Sequence, residues 1–194
     1  MDTRTVPLVE AASNTDVSAT LHLRLRAQQV VAVEAVWKPL REALGDLIEH
    51  GHWDWTLKTP LLDDPAVRFV GIEYAADMQG MMAVFESGYD SRLPLTRGDP
   101  LVYVEYVESA PWNLRLPGQT QRYRGVGSRL LEHAVARSIE LGYGGRLGLV
   151  ALPQAESFYE RTCGMTDLGP DPRYNGLVYY ELSADHAQHL QRRG

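Results

Sequence analysis

The sequence predicts a mixed α/β fold, with a mixed β-sheet flanked by helices. Three observations carry this. Strand-like runs come first, and from Leu101 to Leu182 the pattern becomes strand, helix, strand, short helix, strand. A glycine-rich stretch, Arg122–Ser128, opens directly onto an amphipathic run that reaches Leu141. The strand at 101, the helix at 126 and the strand at 147 then form a right-handed crossover of a parallel pair.

Each element has its own warrant. Residues 1–18 are polar and mixed, and a mobile lead-in is expected there. Thr20–Arg26 alternates apolar and polar side chains, the mark of a half-buried strand. Val30–Val36 is a β-branched run, expected as a second strand, with Gln28-Gln29 turning the chain between the two. Pro39 is expected in the first turn of a helix whose Leu40, Leu44, Leu47 and Ile48 share a face and which Gly51 ends. Arg68–Ala75 and Gly80–Glu86 read as a hairpin around Asp77-Met78-Gln79.

Gly88–Pro100 is a loop, Leu101–Glu108 a strand and Ala110–Thr120 another loop. The central helix runs from about Val126 to Leu141. Val126, Leu130, Leu131, Ala134, Val135 and Ile139 form its apolar face, and Gly142 stops it. Leu147–Leu152 is a buried strand. Pro153 starts a short helix, and Gly164 lies past its end. Thr166–Leu168 and Leu177–Leu182 close the sheet. The expected organisation is a lead-in over 1–18, a single domain over 19–186 and a tail over 187–194.

Composition narrows the function classes. A chain of 194 residues builds a core without disulfides. The single cysteine, Cys163, excludes an intrachain disulfide and a cysteine metal cluster, which fits a reducing compartment, and a cytoplasmic location is expected. Neither a signal peptide nor a membrane span is evident. The net charge of −6 argues against a nucleic-acid partner and is compatible with a cationic amine acceptor. His50 and His52 are spaced as a metal pair, but no carboxylate or cysteine completes a site, so no metal is expected. Trp53 and Trp55 read as core packing, or else as the wall of an acceptor pocket or a dimer contact.

The glycine-rich turn carries the chemistry. The first amides of a helix lack internal partners, and the helix dipole places partial positive charge there. Glycine lets backbone approach an anion closely. Arg122, Arg124 and Arg129 add charge that matches a diphosphate. A dinucleotide fingerprint would need glycine at position 130, which is Leu130, and no Gly-Lys-Ser or Gly-Lys-Thr occurs for a P-loop.

A second segment stands downstream: Ala155-Glu156-Ser157-Phe158-Tyr159-Glu160-Arg161-Thr162-Cys163-Gly164-Met165. With Arg122-Tyr123-Arg124-Gly125-Val126-Gly127, this order and separation resembles the GNAT superfamily of N-acetyltransferases, over about Val70–Leu182. The resemblance implies a GNAT-like central mixed sheet with two splayed parallel strands, and acetyl-CoA as donor without a metal. The acetyl group would pass directly to an amine of a small molecule or peptide in a ternary complex, on a monomer or homodimer. It places Arg122, Arg124, Gly125, Val126, Gly127 and Ser128 at the CoA diphosphate and the Ser109 amide at the acetyl carbonyl. Glu105 falls where many members carry the base, with Glu108 as runner-up, and Tyr159 where the family's tyrosine points at the CoA sulfur.

The chain departs from the family in three places. The N-terminal third has two strands before the first helix, the loop before the glycines is longer than usual, and Leu152 stands where an asparagine is common. A non-catalytic acyl-CoA-binding or regulatory domain is therefore the alternative. The acceptor stays open.

Overall fold

The computed structural model describes residues 2–191. Its strands are β1 (Thr3–Glu10), β2 (Thr15–His22), β3 (Val67–Tyr74), β4 (Asp77–Phe85), β5 (Val102–Ser109), β6 (Tyr123–Arg124), β7 (Leu147–Ala151), β8 (Thr166–Asp171) and β9 (Leu177–Leu182). Its α-helices are α1 (Ala27–Leu44), α2 (Trp55–Lys58), α3 (Val126–Glu140), α4 (Pro153–Ser157) and α5 (Ala184–Gln191). The strands form a nine-stranded mixed sheet in the order β6-β1-β2-β3-β4-β5-β7-β9-β8. The fold resolves into two compact units. One holds the described residues up to Ala83 with Tyr106–Leu130, and the other holds Val84–Glu105 with the residues from Leu131 on.

In the first unit the expected mobile lead-in is instead a strand. β1 pairs with β2 along its whole length, from Thr3 opposite His22 to Glu10 opposite Thr15, and Leu8, Ala19 and Leu21 are buried. The polar composition of residues 1–18 hid this, because only one face of such a hairpin needs apolar side chains.

The expected strand over Val30–Val36, the turn at Gln28-Gln29 and the helix start at Pro39 are likewise corrected. All of these residues lie in α1, with Pro39 in its interior. The helix begins earlier because the Gln29 side chain accepts from the Arg26 amide at 2.9 Å. Its buried stripe is Val30, Glu34, Trp37 and Arg41, a helical spacing.

The β3–β4 hairpin turns at Ala75 and Ala76, both left-handed at φ 53° and 64°. On β4, Gly80 is a packing necessity. A Cβ there would lie 2.4 Å from Val126 Cγ1 and 3.2 Å from the Glu108 carbonyl oxygen.

In the second unit β5 and β7 run parallel, with Val102, Tyr103 and Val104 opposite Leu147, Gly148 and Leu149. β9 lies antiparallel on β7 and β8 on β9, with a bulge between Asp167 and Pro170. Leu101, Tyr103 and Tyr179 form a core, against which Phe85, Tyr89 and Tyr174 pack. Leu131, Ala134 and Val135 of α3 are buried as expected, while Ile139 is exposed. Arg137 ties α3 to Glu86 at 2.6 and 3.2 Å. The expected tail coincides in part with α5. Its last residues, 192–194, lie outside the described residues.

Candidate active site

The glycine turn sits in the first unit and opens α3 as its sequence requires. Gly125 is left-handed at φ 90°, and the space above it is open. The first intrahelical bond runs from the Arg129 amide to the Gly125 carbonyl at 3.0 Å. The amides of Val126, Gly127 and Ser128 precede it and have no intrahelical acceptor. Arg122, just before β6, and Arg124, on it, are exposed.

Three braces hold the turn. β6 pairs with β1, Val9 opposite Arg124 and Glu10 opposite Tyr123. Arg124 donates to the side-chain oxygen of Asn14, at the tip of the β1–β2 hairpin. The Tyr123 amide donates to Asn113 Oδ1 at 2.9 Å, and Asn113 Nδ2 donates to Gln79 Oε1 at 3.0 Å. The N-terminal hairpin thus takes a structural part in the turn, which the sequence motif did not reveal.

Ser109 ends β5 and is half-buried. One position earlier on the same strand, Glu108 enters a buried charge cluster that sequence reasoning missed. Arg41 Nη1 donates to both Glu108 oxygens, at 3.1 and 3.3 Å. Its Nη2 donates to Glu34 at 2.5 Å and to the Trp53 carbonyl at 2.6 Å. Trp55 Nε1 donates to Glu108 Oε2 at 2.6 Å. Burial pushes the Glu108 carboxyl up, against the pull of Arg41 and Trp55. His50 Nε2 lies 3.6 Å from Glu108, and burial together with the charge of Arg41 holds the imidazole down at about 4.

Over this cluster lies an aromatic surface. Trp53 meets Tyr106 edge to face at 5.2 Å between centroids. The Lys58 ammonium rests 3.7 Å from the Tyr106 ring centroid and 5.1 Å from that of Trp53. Trp55 is core, as one of the expected readings has it. His52 is exposed, and no group of three potential metal ligands occurs among the described residues.

Glu105 and Tyr159 belong to the second unit. Glu105 shares a strand face with Tyr103, two positions before it. Burial, then Tyr174, then the Glu105 charge raise the Tyr89 phenol to about 12, and Glu105 also adds to the rise at Tyr103. Tyr159 lies where α4 widens into a π-helical turn, Phe158–Thr162, closed by the Cys163 amide on the Phe158 carbonyl at 3.1 Å.

Adjacent residues of a regular helix point about 100° apart, so Phe158 would pack inward where Tyr159 reaches a cleft. The burial is the reverse: Tyr159 is 6% exposed and Phe158 is half-buried. The wider winding of the π turn shifts both side chains from the places a regular helix would give them. Tyr159 packs against Phe158 and Tyr180, and burial raises its phenol.

No family model matches the sequence, and no curated protein matches it. Solved structures do. A GNAT-family acetyltransferase from Desulfovibrio desulfuricans is 17% identical, with a TM-score of 0.54 over 86% of this chain and 99% of that one. The PaiA N-acetyltransferase of Thermoplasma acidophilum, solved with coenzyme A, is 13% identical, with a TM-score of 0.56 over 85% and 98%. FeeM, an N-acyl amino acid synthase from uncultured soil microbes, is 13% identical, with a TM-score of 0.59 over 97% and 94%. The chain has the fold of the GNAT acetyltransferases.

Proposed function

We propose that the protein is an N-acetyltransferase that moves an acetyl group from acetyl-CoA to an amine. The observation that carries this is the turn Arg122–Ser128. Gly125 is in the left-handed region beneath open space, at the start of a helix whose first amides lack acceptors. Such a turn, with Arg122 and Arg124 beside it, suits the CoA diphosphate.

In the proposed reaction the amine nitrogen bonds to the thioester carbonyl carbon and the carbon–sulfur bond breaks. The amine's proton passes to a base, and the departing thiolate takes a proton. Glu105 is assigned the base and Tyr159 the proton donor, its raised phenol holding the proton at neutral pH. The Ser109 amide is assigned to the acetyl carbonyl. Glu108, committed to Arg41 and Trp55, is not the base. An amine acceptor agrees with the Trp53–Tyr106 surface, which already carries the Lys58 ammonium.

A second reading, an acyl-CoA-binding domain without chemistry, is favoured by the burial of Tyr159. Incubation with acetyl-CoA and a panel of polyamines, amino acids, aminoglycosides and peptides separates the two. The enzyme releases free CoA with at least one acceptor class. With that acceptor, Glu105→Gln lowers turnover by about 10²–10⁴-fold and leaves CoA affinity unchanged. Acetyl-CoA binding without turnover across the panel selects the second reading.

A further inference from the structure

We propose that the second unit carries a separate binding site for a carboxylate on an apolar body, built around Arg92 and Arg97. The site is a cavity of ≈ 410 Å³ lined by Ser91, Arg92, Arg97, Leu168, Asp171 and three prolines, Pro94, Pro170 and Pro172, among others. It lies between the loop after β4 and strand β8, and none of its lining residues is one assigned a role in acetyl transfer by sequence.

The loop that supplies the arginines is preformed. The Ser91 amide bonds the Asp99 carbonyl at 2.8 Å, and the Gly98 amide returns to the Ser91 carbonyl at 3.0 Å. Beneath the loop lies Glu181, wholly buried. It accepts from the Ser91 hydroxyl, from the Arg92 amide at 2.8 Å and from the Tyr179 hydroxyl at 3.4 Å. A buried carboxylate with three donors is a fixed anchor, not a surface charge.

Arg92 is held on two sides. Its guanidinium lies 3.7 Å from the Tyr179 ring centroid, and its Nη1 donates to Asp171 at 2.8 Å. Asp171 is itself buried, and Arg173 and Arg92 together hold its carboxyl well below the usual range. The Arg92 side chain is still 34% exposed. Its Nε and Nη2 make no hydrogen bond among the described residues. These two donors form one edge of the guanidinium fork, the edge that grips a carboxylate with two parallel bonds.

Arg97 is exposed and makes no hydrogen bond or ion pair among the described residues. Asp99, the acidic residue nearest it in sequence, is engaged by Arg146 at 3.5 Å. Arg92, Arg97 and Arg173 stand against two carboxylates, Asp171 and the buried Glu181, and the local balance still favours an anion. Leu168 and the prolines offer apolar walls, which suit an organic acid better than a bare inorganic ion. A fork already immobilised by Tyr179 and Asp171 loses little freedom when it binds.

The test titrates the full-length protein with benzoate, benzamide and inorganic phosphate, following the amide signals of Ser91, Arg97 and Gly169 by nuclear magnetic resonance. Benzoate shifts these signals saturably, more tightly than phosphate, and neutral benzamide does not. Arg97→Gln, a surface change that leaves the fold intact, weakens benzoate about tenfold, as does Arg92→Lys, which keeps the charge but loses the fork. Saturating acetyl-CoA leaves benzoate binding unchanged, so this site and the donor site fail or stand separately. The proposal is overturned if benzamide binds as well as benzoate, if phosphate alone binds, if acetyl-CoA displaces benzoate, or if Arg97→Gln binds as wild type does. Should Arg92→Lys misfold, Arg97→Gln decides.

Discussion

Arg41 on α1 grips both oxygens of Glu108 on β5, at 3.1 and 3.3 Å, and both residues are buried. The same guanidinium reaches Glu34 and the Trp53 carbonyl, so one cation fixes a strand, a helix and the segment before α2. Removing one partner of a buried pair leaves the other uncompensated. Arg41→Met should lower stability by about 3–5 kcal/mol in urea unfolding. A loss within the error of the measurement would show that the cluster is solvated in solution.

His50 gives the protein a pH dependence of defined sign. Its folded-state value, about 4, lies below its ordinary 6.5. Between these limits the unfolded chain binds more protons than the folded one, so stability rises with pH. The contribution is therefore present above about 6.5 and fades as the pH falls toward 4. His50→Gln should flatten the slope of unfolding free energy against pH in that window. A variant with the wild-type slope would place a solvated imidazole at position 50.

Gly80 links the sheet to the start of α3. An added methyl would overlap Val126, a stiff β-branched side chain in the first turn of the helix. Gly80→Ala should cost about 1–3 kcal/mol through overpacking and should weaken acetyl-CoA binding by displacing the turn. Unchanged melting temperature and affinity together would contradict the packing described here.

The β3–β4 turn stores strain that can be released. Ala75 and Ala76 both occupy the left-handed region, where a Cβ costs roughly 1–2 kcal/mol per residue. Asn-Gly at these positions suits the turn. Ala75→Asn with Ala76→Gly should raise the melting temperature, as scanning calorimetry would show, and a lower one would mean the alanines contribute contacts that outweigh the strain.

Much of the fold was legible from local pattern. The run from β5 through α3 to β7 follows from periodicity, with the helix stopped at Gly142 as expected. The first helix was not legible, because its buried stripe contains Glu34 and Arg41, which satisfy each other. Read by hydrophobicity alone, the valines on its other faces look like a strand. At the site, the glycine turn was visible in sequence because its chemistry is local. The buried cluster was not, since Arg41 and Glu108 are far apart in the chain and meet only in the fold. Nor was the π turn at Tyr159, which no residue type marks.

The proposed donor site is Arg122–Ser128, where the CoA diphosphate meets helix amides that lack intrahelical acceptors. The most direct measurement is calorimetric titration of acetyl-CoA into the wild type and into Gly127→Glu, which adds bulk and negative charge at those amides. Saturable binding by the wild type and its loss in the variant, with both proteins folded by circular dichroism, is the expected result. Equal affinity in the two proteins, or no binding by the wild type, would contradict it.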